Sequence, residues 1–198
     1  IYEAGTYDVG RWPQPFFAME RIEGVDIRTH WTRNGQALPP AACPSCGVGV
    51  ACSRTCPTRI ELLACVCDAV HFAHEHGIVH RDLKPDNIFI ETVGVTTVIK
   101  VLDFGIAGGL DAMKLTRAGE VFGTPQYMSP EQCNGTDLDH RTDIYSLGCI
   151  LYEMIEGRPP FSAESPMSTM LKHVKAKVPP PRYCCRETAK VLTMALRK

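Results

Sequence analysis

The sequence predicts an α+β fold, mostly helical, and three patterns carry the prediction. Ile60, Leu63, Ala64, Cys67, Val70 and His74 recur at helical spacing between Ile60 and His76, and Gly77 stops the run. Asp143 to Met154 is apolar almost all round, which marks a helix buried on most faces. Val98-Ile99-Lys100-Val101-Leu102 reads as a short strand ending on Asp103. At 198 residues, 44% of them hydrophobic, the chain can bury a sizeable core in one dominant domain. A net charge of −1 gives no reason to expect nucleic acid or an anionic membrane as partner. The longest apolar stretches fall well short of a bilayer span, and no signal peptide, internal repeat or long low-complexity run is evident.

Three short signals stand between these elements, in one order. His80-Arg81-Asp82-Leu83-Lys84-Pro85-Asp86-Asn87 follows the first helix, Asp103-Phe104-Gly105 follows the strand, and Ser129-Pro130-Glu131 precedes the buried helix. Each places a residue type that phosphoryl transfer needs: a group to hold the acceptor hydroxyl, oxygen ligands for Mg²⁺, and positive charge where negative charge builds. Asp82 can orient a hydroxyl and accept its proton. Lys84, two residues on in an extended loop, can face the same phosphate. Asn87 offers a neutral oxygen and Asp103 a carboxylate, the hard ligands that Mg²⁺ prefers, and Gly105 frees the turn that follows. Alone, an Asp-Xaa-Lys pair is usually a solvated turn and Asp-Phe-Gly a strand end. Together they agree with the predicted strand, loop and buried helix, and the balance moves to catalysis.

On these residues the chain resembles the eukaryotic-like (Hanks-type) Ser/Thr protein kinases of bacterial type, over nearly its whole length. The resemblance implies a protein-kinase-like fold, with residues 1–23 as the end of the small lobe and the hinge and 24–198 as a large lobe truncated at its C-terminal end. Ile1 to Gly5 resembles a late strand of the small lobe, and a helix is expected after Asp26. Met19 takes the gatekeeper position, the backbone of Glu20 to Ile22 faces the adenine edge, and Phe89 and Asp103 join them at the nucleotide. His80 and Phe104 are expected in the hydrophobic column that couples the metal-binding turn to the central helix. Asp143 is expected to hold the catalytic-loop backbone.

Lys84 and the segment from Gly123 to Gln132 resemble those of Ser/Thr rather than Tyr kinases. Arg81 beside Asp82 implies regulation, because a phosphate on the activation loop offers that arginine a bidentate partner. Thr116 is the expected acceptor, and Thr124 is expected to be structural. ATP and Mg²⁺ are the implied cofactors. Ser/Thr side chains of proteins are the implied substrates, a kinase dimer an implied partner, and the cytoplasm the implied location, with membrane anchoring only through parts outside this chain. No Gly-rich loop, strand lysine or helix glutamate precedes the hinge, so the fragment alone is expected to be inactive. The arginine that pairs with Glu131 in the family is expected beyond Lys198.

From Pro39 to Pro57 the chain carries an apparent Cys-rich insertion, at residues 39–57, with Cys43, Cys46, Cys52 and Cys56. Three readings stay open for it: four thiolates around one Zn²⁺, an unstructured insertion with incidental thiols, and disulfides or a redox switch. A catalytically silent scaffold, whose insertion binds zinc or a partner, is the alternative function. Cys67 and Cys149 are expected on core-facing helix positions, where cysteine behaves as a small hydrophobe. The vicinal pair Cys184-Cys185 follows Pro179-Pro180-Pro181 and is expected in a surface connection.

Overall fold

In the computed structural model, residues 3–9, 12–18, 24–33, 36–37, 57–93, 96–104 and 124–198 are described. A hairpin of β1 (Glu3–Val9) and β2 (Trp12–Ala18) opens the chain, antiparallel with Glu3 opposite Ala18, which places a strand where the sequence expects one. β3 (Gly24–Asp26) then leads into the short helix α1 (Ile27–Trp31), placed as expected. The Asp26 carboxylate turns the chain into α1, accepting from the Thr29 amide at 2.9 Å and the Thr29 hydroxyl at 2.6 Å. Burial works against the charge on Asp26, but the Thr29 hydroxyl and amide outweigh it and hold the carboxyl below its ordinary range.

Two short strands, β4 (Thr32–Arg33) and β5 (Gln36–Ala37), pair with each other after α1. Next come α2 (Pro57–Glu75), β6 (Ile88–Val93) and β7 (Thr96–Val101). β3, β6 and β7 form one antiparallel sheet in that order, with Asp26 opposite Phe89 and Ile88 opposite Val101. This sheet lies at the base of the loop that carries the first signal, so its register decides where that loop emerges.

α2 takes the expected place, and Gly77, at φ 73°, ends the turn that follows it. Its buried face differs from the expected one. Leu63, Val66, Val70 and Ala73 are buried, whereas Ile60 is 36% exposed and Ala64 and Cys67 are exposed. The apolar stripe is thus rotated: Leu63, Val66 and Val70 join the core cluster, and α2 packs on β7 and on α4 (Arg141–Glu156). Cys67, expected to face the core, is exposed, while Cys149 is fully buried as expected.

Ser129 starts the five-residue helix α3 (Pro130–Asn134) with a capping box, in which its hydroxyl accepts from the Gln132 amide and the Gln132 side chain accepts from the Ser129 amide. α4 is the hub of the core: apart from Ile144, every residue from Thr142 to Ile155 is buried. α5 (Pro166–Lys175) packs beside α3, and α6 (Arg186–Ala195) lies on α4. Gly148 permits that last contact, since a Cβ there would stand 2.9 Å from the Ala195 Cβ and 3.0 Å from the Leu196 side chain. One core cluster runs from Ile27 and Trp31 through Leu63, Val66 and Ile88 to Ile150, Ile155 and Leu192. Among the described residues, no helix is long and apolar enough to cross a membrane.

Candidate active site

The loop after α2 owes its shape to Asp143, a fully buried carboxylate on α4. Oδ2 accepts from the His80 amide at 2.8 Å, and Oδ1 accepts from the Arg81 amide at 2.8 Å. His74 of α2 meets Oδ2 through Nε2 at 2.7 Å, so this histidine, read from the sequence as core packing, is a polar partner as well. Arg81 adopts the left-handed conformation at φ 68°, which costs a non-glycine residue about 1–3 kcal/mol. Fixed bonds on both sides offset that cost: its amide goes to Asp143, and its carbonyl accepts from Gln132 Nε2 at 2.6 Å.

His80 ties the loop to the strand behind it. Its Nε2 lies 2.7 Å from the Leu102 carbonyl, which can only accept, so Nε2 carries the proton. Nδ1 is then free to accept from the Asp82 amide at 3.3 Å. The His80 ring meets that of Phe104 in a tilted contact, with centroids 4.7 Å apart.

Asp82 therefore projects from a backbone held on every side. Its Oδ2 accepts from Lys84 Nζ at 2.9 Å and faces Asn87 Nδ2 at 3.4 Å. Asn87, buried in the 3-10 turn Pro85–Asn87, commits Nδ2 to the Asp82 carbonyl at 2.9 Å, which leaves its Oδ1 as an available neutral ligand. The Asn87 carbonyl accepts from the Leu102 amide at 2.8 Å, so the turn and the strand end that carries Asp103 are bonded to each other. Asp103 has an exposed carboxylate and a φ of 60°, the second non-glycine residue in the left-handed region. One neutral amide oxygen and one exposed carboxylate are hard oxygen donors, and this pair suits Mg²⁺.

Phe89 is half-buried on β6. Half-buried Thr124 heads the 3-10 turn Pro125–Tyr127 and accepts from the Tyr127 amide at 3.2 Å through its carbonyl. Glu131 accepts from the Thr142 hydroxyl at 2.9 Å, so within the chain its carboxylate already has a neutral partner. Met19, Glu20, Ile22, Gly105, Thr116 and the four cysteines Cys43, Cys46, Cys52 and Cys56 lie outside the described residues.

A second cluster, absent from the sequence reading, borders the first. Arg28 of α1 donates from Nε to Glu153 Oε1 at 3.1 Å and from a terminal nitrogen to the Tyr127 hydroxyl at 2.6 Å. The Tyr127 hydroxyl in turn donates to Glu153 Oε2. Asp86 stands 3.5 Å from the other terminal nitrogen of Arg28. Burial disfavours the charge on Arg28, but Tyr127 and Glu153 overcome it and hold the guanidinium above its ordinary pKa. Burial, then the Glu153 carboxylate, push the Tyr127 phenol well up. These groups line a cavity of about 610 Å³ that also takes in Lys84 and Thr124. A carboxylate on an otherwise apolar helix could have flagged Glu153 in the sequence, since a buried charge demands a partner. Nothing local named Arg28 as that partner.

The protein kinase domain family matches residues 17–197. The chain is 38% identical over 182 residues to the serine/threonine-protein kinase PknB of Mycobacterium leprae, a match spanning 91% of this chain and 26% of that protein. Similarity of the same size is found with PknB of Mycobacterium tuberculosis, over 183 residues, and with the probable serine/threonine-protein kinase CE0033 of Corynebacterium efficiens, over 183 residues. The chain thus spans about a quarter of the length of these relatives.

Proposed function

Since the chain belongs to the protein kinase domain family, we propose that the protein transfers the γ-phosphoryl group of ATP to Ser and Thr hydroxyls of other proteins. The observation that carries this reading is the convergence of Lys84 and Asn87 on the Asp82 carboxylate, in a loop anchored by Asp143. Asp82 Oδ2 accepts the hydrogen bond of the acceptor hydroxyl and aims its oxygen along one line. That oxygen forms a bond to the γ-phosphorus, the bond to the β,γ-bridging oxygen breaks, ADP leaves, and the hydroxyl proton passes to Asp82. Lys84, already 2.9 Å from Asp82, brings a cation to the same point and meets the charge on the moving phosphoryl group. Asn87 and Asp103 would hold Mg²⁺, which would supply positive charge to offset that of the triphosphate.

Lys84 favours Ser and Thr acceptors, and the relatives named serine/threonine-protein kinases support that choice. We place the catalytic domain in the cytoplasm, where ATP is supplied. Thr116 is the proposed autophosphorylation site and Arg81 the partner of its phosphate; phosphopeptide mapping that found Thr116 unmodified and another residue occupied would remove this part. The deciding experiment is transfer from Mg-ATP by the full-length protein, run beside its Asp82→Asn variant. Loss of a positioned base should lower the rate about 10³-fold. Equal rates in the two proteins would sink the assignment.

A further inference from the structure

Resting on this reading, the geometry points to Arg28 as a specificity-determining residue. We propose that it stands in for a substrate cation: by engaging Glu153 and Asp86 it neutralises the cavity beside Lys84, so the protein does not select basic residues in the peptides that it phosphorylates.

The cavity shares Lys84 with the catalytic loop and opens beside the turn Pro125–Tyr127. A peptide whose hydroxyl reaches Asp82 must therefore lay a neighbouring side chain over it. Two acids face that space, Glu153 and Asp86, and two acids beside an acceptor site would by themselves draw an arginine or lysine. Arg28 is already there, on a different element. Its fork meets Glu153 at 3.1 Å and the Tyr127 hydroxyl at 2.6 Å, leaving one terminal nitrogen for Asp86 at 3.5 Å. With Lys84 the four formal charges sum to zero.

Exposure separates the two carboxylates. Glu153 is only 9% exposed and is enclosed by Arg28 and Tyr127, whereas the Asp86 side chain is 55% exposed. An incoming cation thus finds the deeper acid occupied and the outer one shared with Arg28, whose side chain is 37% exposed. Without Arg28, Glu153 keeps, among the described residues, the Tyr127 hydroxyl; the charged residues lining the cavity then carry one net negative charge, and a peptide arginine can fill the vacated position with the same fork geometry.

The test measures kcat/KM of the full-length protein on a neutral Ser peptide and on a set in which one arginine, one glutamate or one glutamine is walked through the flanking positions. For the wild type, arginine at any position should change the rate less than about threefold relative to glutamine, the scale of an exposed charge contact. Arg28→Gln should gain about tenfold for arginine at one position, the size of a well-formed charge-assisted contact. Glu153→Gln should turn toward glutamate at that same position, because Arg28 then lacks its main partner. Arg28→Lys keeps the cation and should keep the wild-type indifference. A merely structural role for Arg28 would lower rates on all peptides together and leave these ratios unmoved.

A tenfold arginine preference in the wild type would overturn the proposal. So would an Arg28→Gln protein that phosphorylates the neutral peptide without gaining one. Should Arg28→Gln fail to fold, Glu153→Gln decides, and turnover without a glutamate preference counts against Arg28. Absence of transfer to any peptide by the wild type would remove the phosphotransfer reading itself, and the inference with it.

Discussion

Asp143 and Glu153 belong to the same helix, both acids in apolar surroundings, yet they hold their neighbours by different means. Asp143 takes two backbone amides, those of His80 and Arg81, and the ring of His74. Glu153 takes two side chains, Arg28 and Tyr127. A backbone amide is present whatever residue stands at its position, so an acid that serves amides is tied to the shape of the loop. A side-chain donor exists only where the right residue stands, and Arg28 is separated from Glu153 by 125 positions. The first arrangement fixes geometry. The second sets local charge, and one substitution can reset it.

The sharpest way to break this comparison is Asp143→Ala. It strips the acceptor from two amides and from His74 inside the core, and should cost about 3–5 kcal/mol in urea unfolding. Transfer should fall at least about 10²-fold, since the loop that aims Asp82 loses its anchor. A loss no larger than that of Tyr127→Phe would show that the backbone-held region has no special standing.

Acid is the next largest probe, and it acts on a buried histidine that belongs to neither arrangement. His173 of α5 is buried, with Nδ1 3.0 Å from the Tyr145 hydroxyl and its ring 4.9 Å from that of Phe161. Burial, then the nearby Lys198 ammonium, lower its pKa to about 4. The unfolded chain takes up this proton near the ordinary value of 6.5 and the folded one only near 4, so stability is complete above about 6.5 and is lost as pH falls toward 4. The loss should approach about 3 kcal/mol. Denaturation midpoints between pH 7.5 and 4.5, compared with those of His173→Asn, check it; an equal slope in the variant would assign the acid sensitivity to other groups.

Tyr127→Phe removes the hydroxyl that joins Arg28 to Glu153 and leaves the ring in place. About 1–2 kcal/mol should be lost in the same unfolding assay, with kcat for a neutral peptide lowered far less than by Asp143→Ala. Smallest of all, Ser129→Ala removes one half of the capping box beneath Arg81 and should cost about 1 kcal/mol. A thermal shift larger than that of Tyr127→Phe would invert the proposed order.

The same contrast explains what the sequence could show. Asp82, Lys84, Asn87 and Asp103 stand in short contiguous signals, where spacing alone brings them to one loop and one strand end. The role of Asp143 was an expectation of the kinase resemblance, and its carboxylate accepts from the His80 and Arg81 amides. α4 was legible because its apolar residues leave no exposed face to mistake. α2 was placed correctly but turned wrongly, since Ala64, Cys67, Val66 and Ala73 are all apolar enough to read as core and only the packing partner chooses among them. His74, Gln132, Arg28 and Glu153 escaped as site residues for one reason. Each works through a partner on another element, and no local pattern encodes that pairing.

The bonds from His80 and Arg81 to Asp143 also set a clock. Loop amides ordinarily exchange their hydrogens with solvent through small local openings. These two amides point into a carboxylate carried by a helix that is buried from Thr142 to Ile155, except at Ile144. They are released only when that helix lets go, so their exchange should follow the slow unfolding of the core and not the breathing of a surface segment. The loop proposed to meet each substrate thus keeps the time of the helix that anchors it.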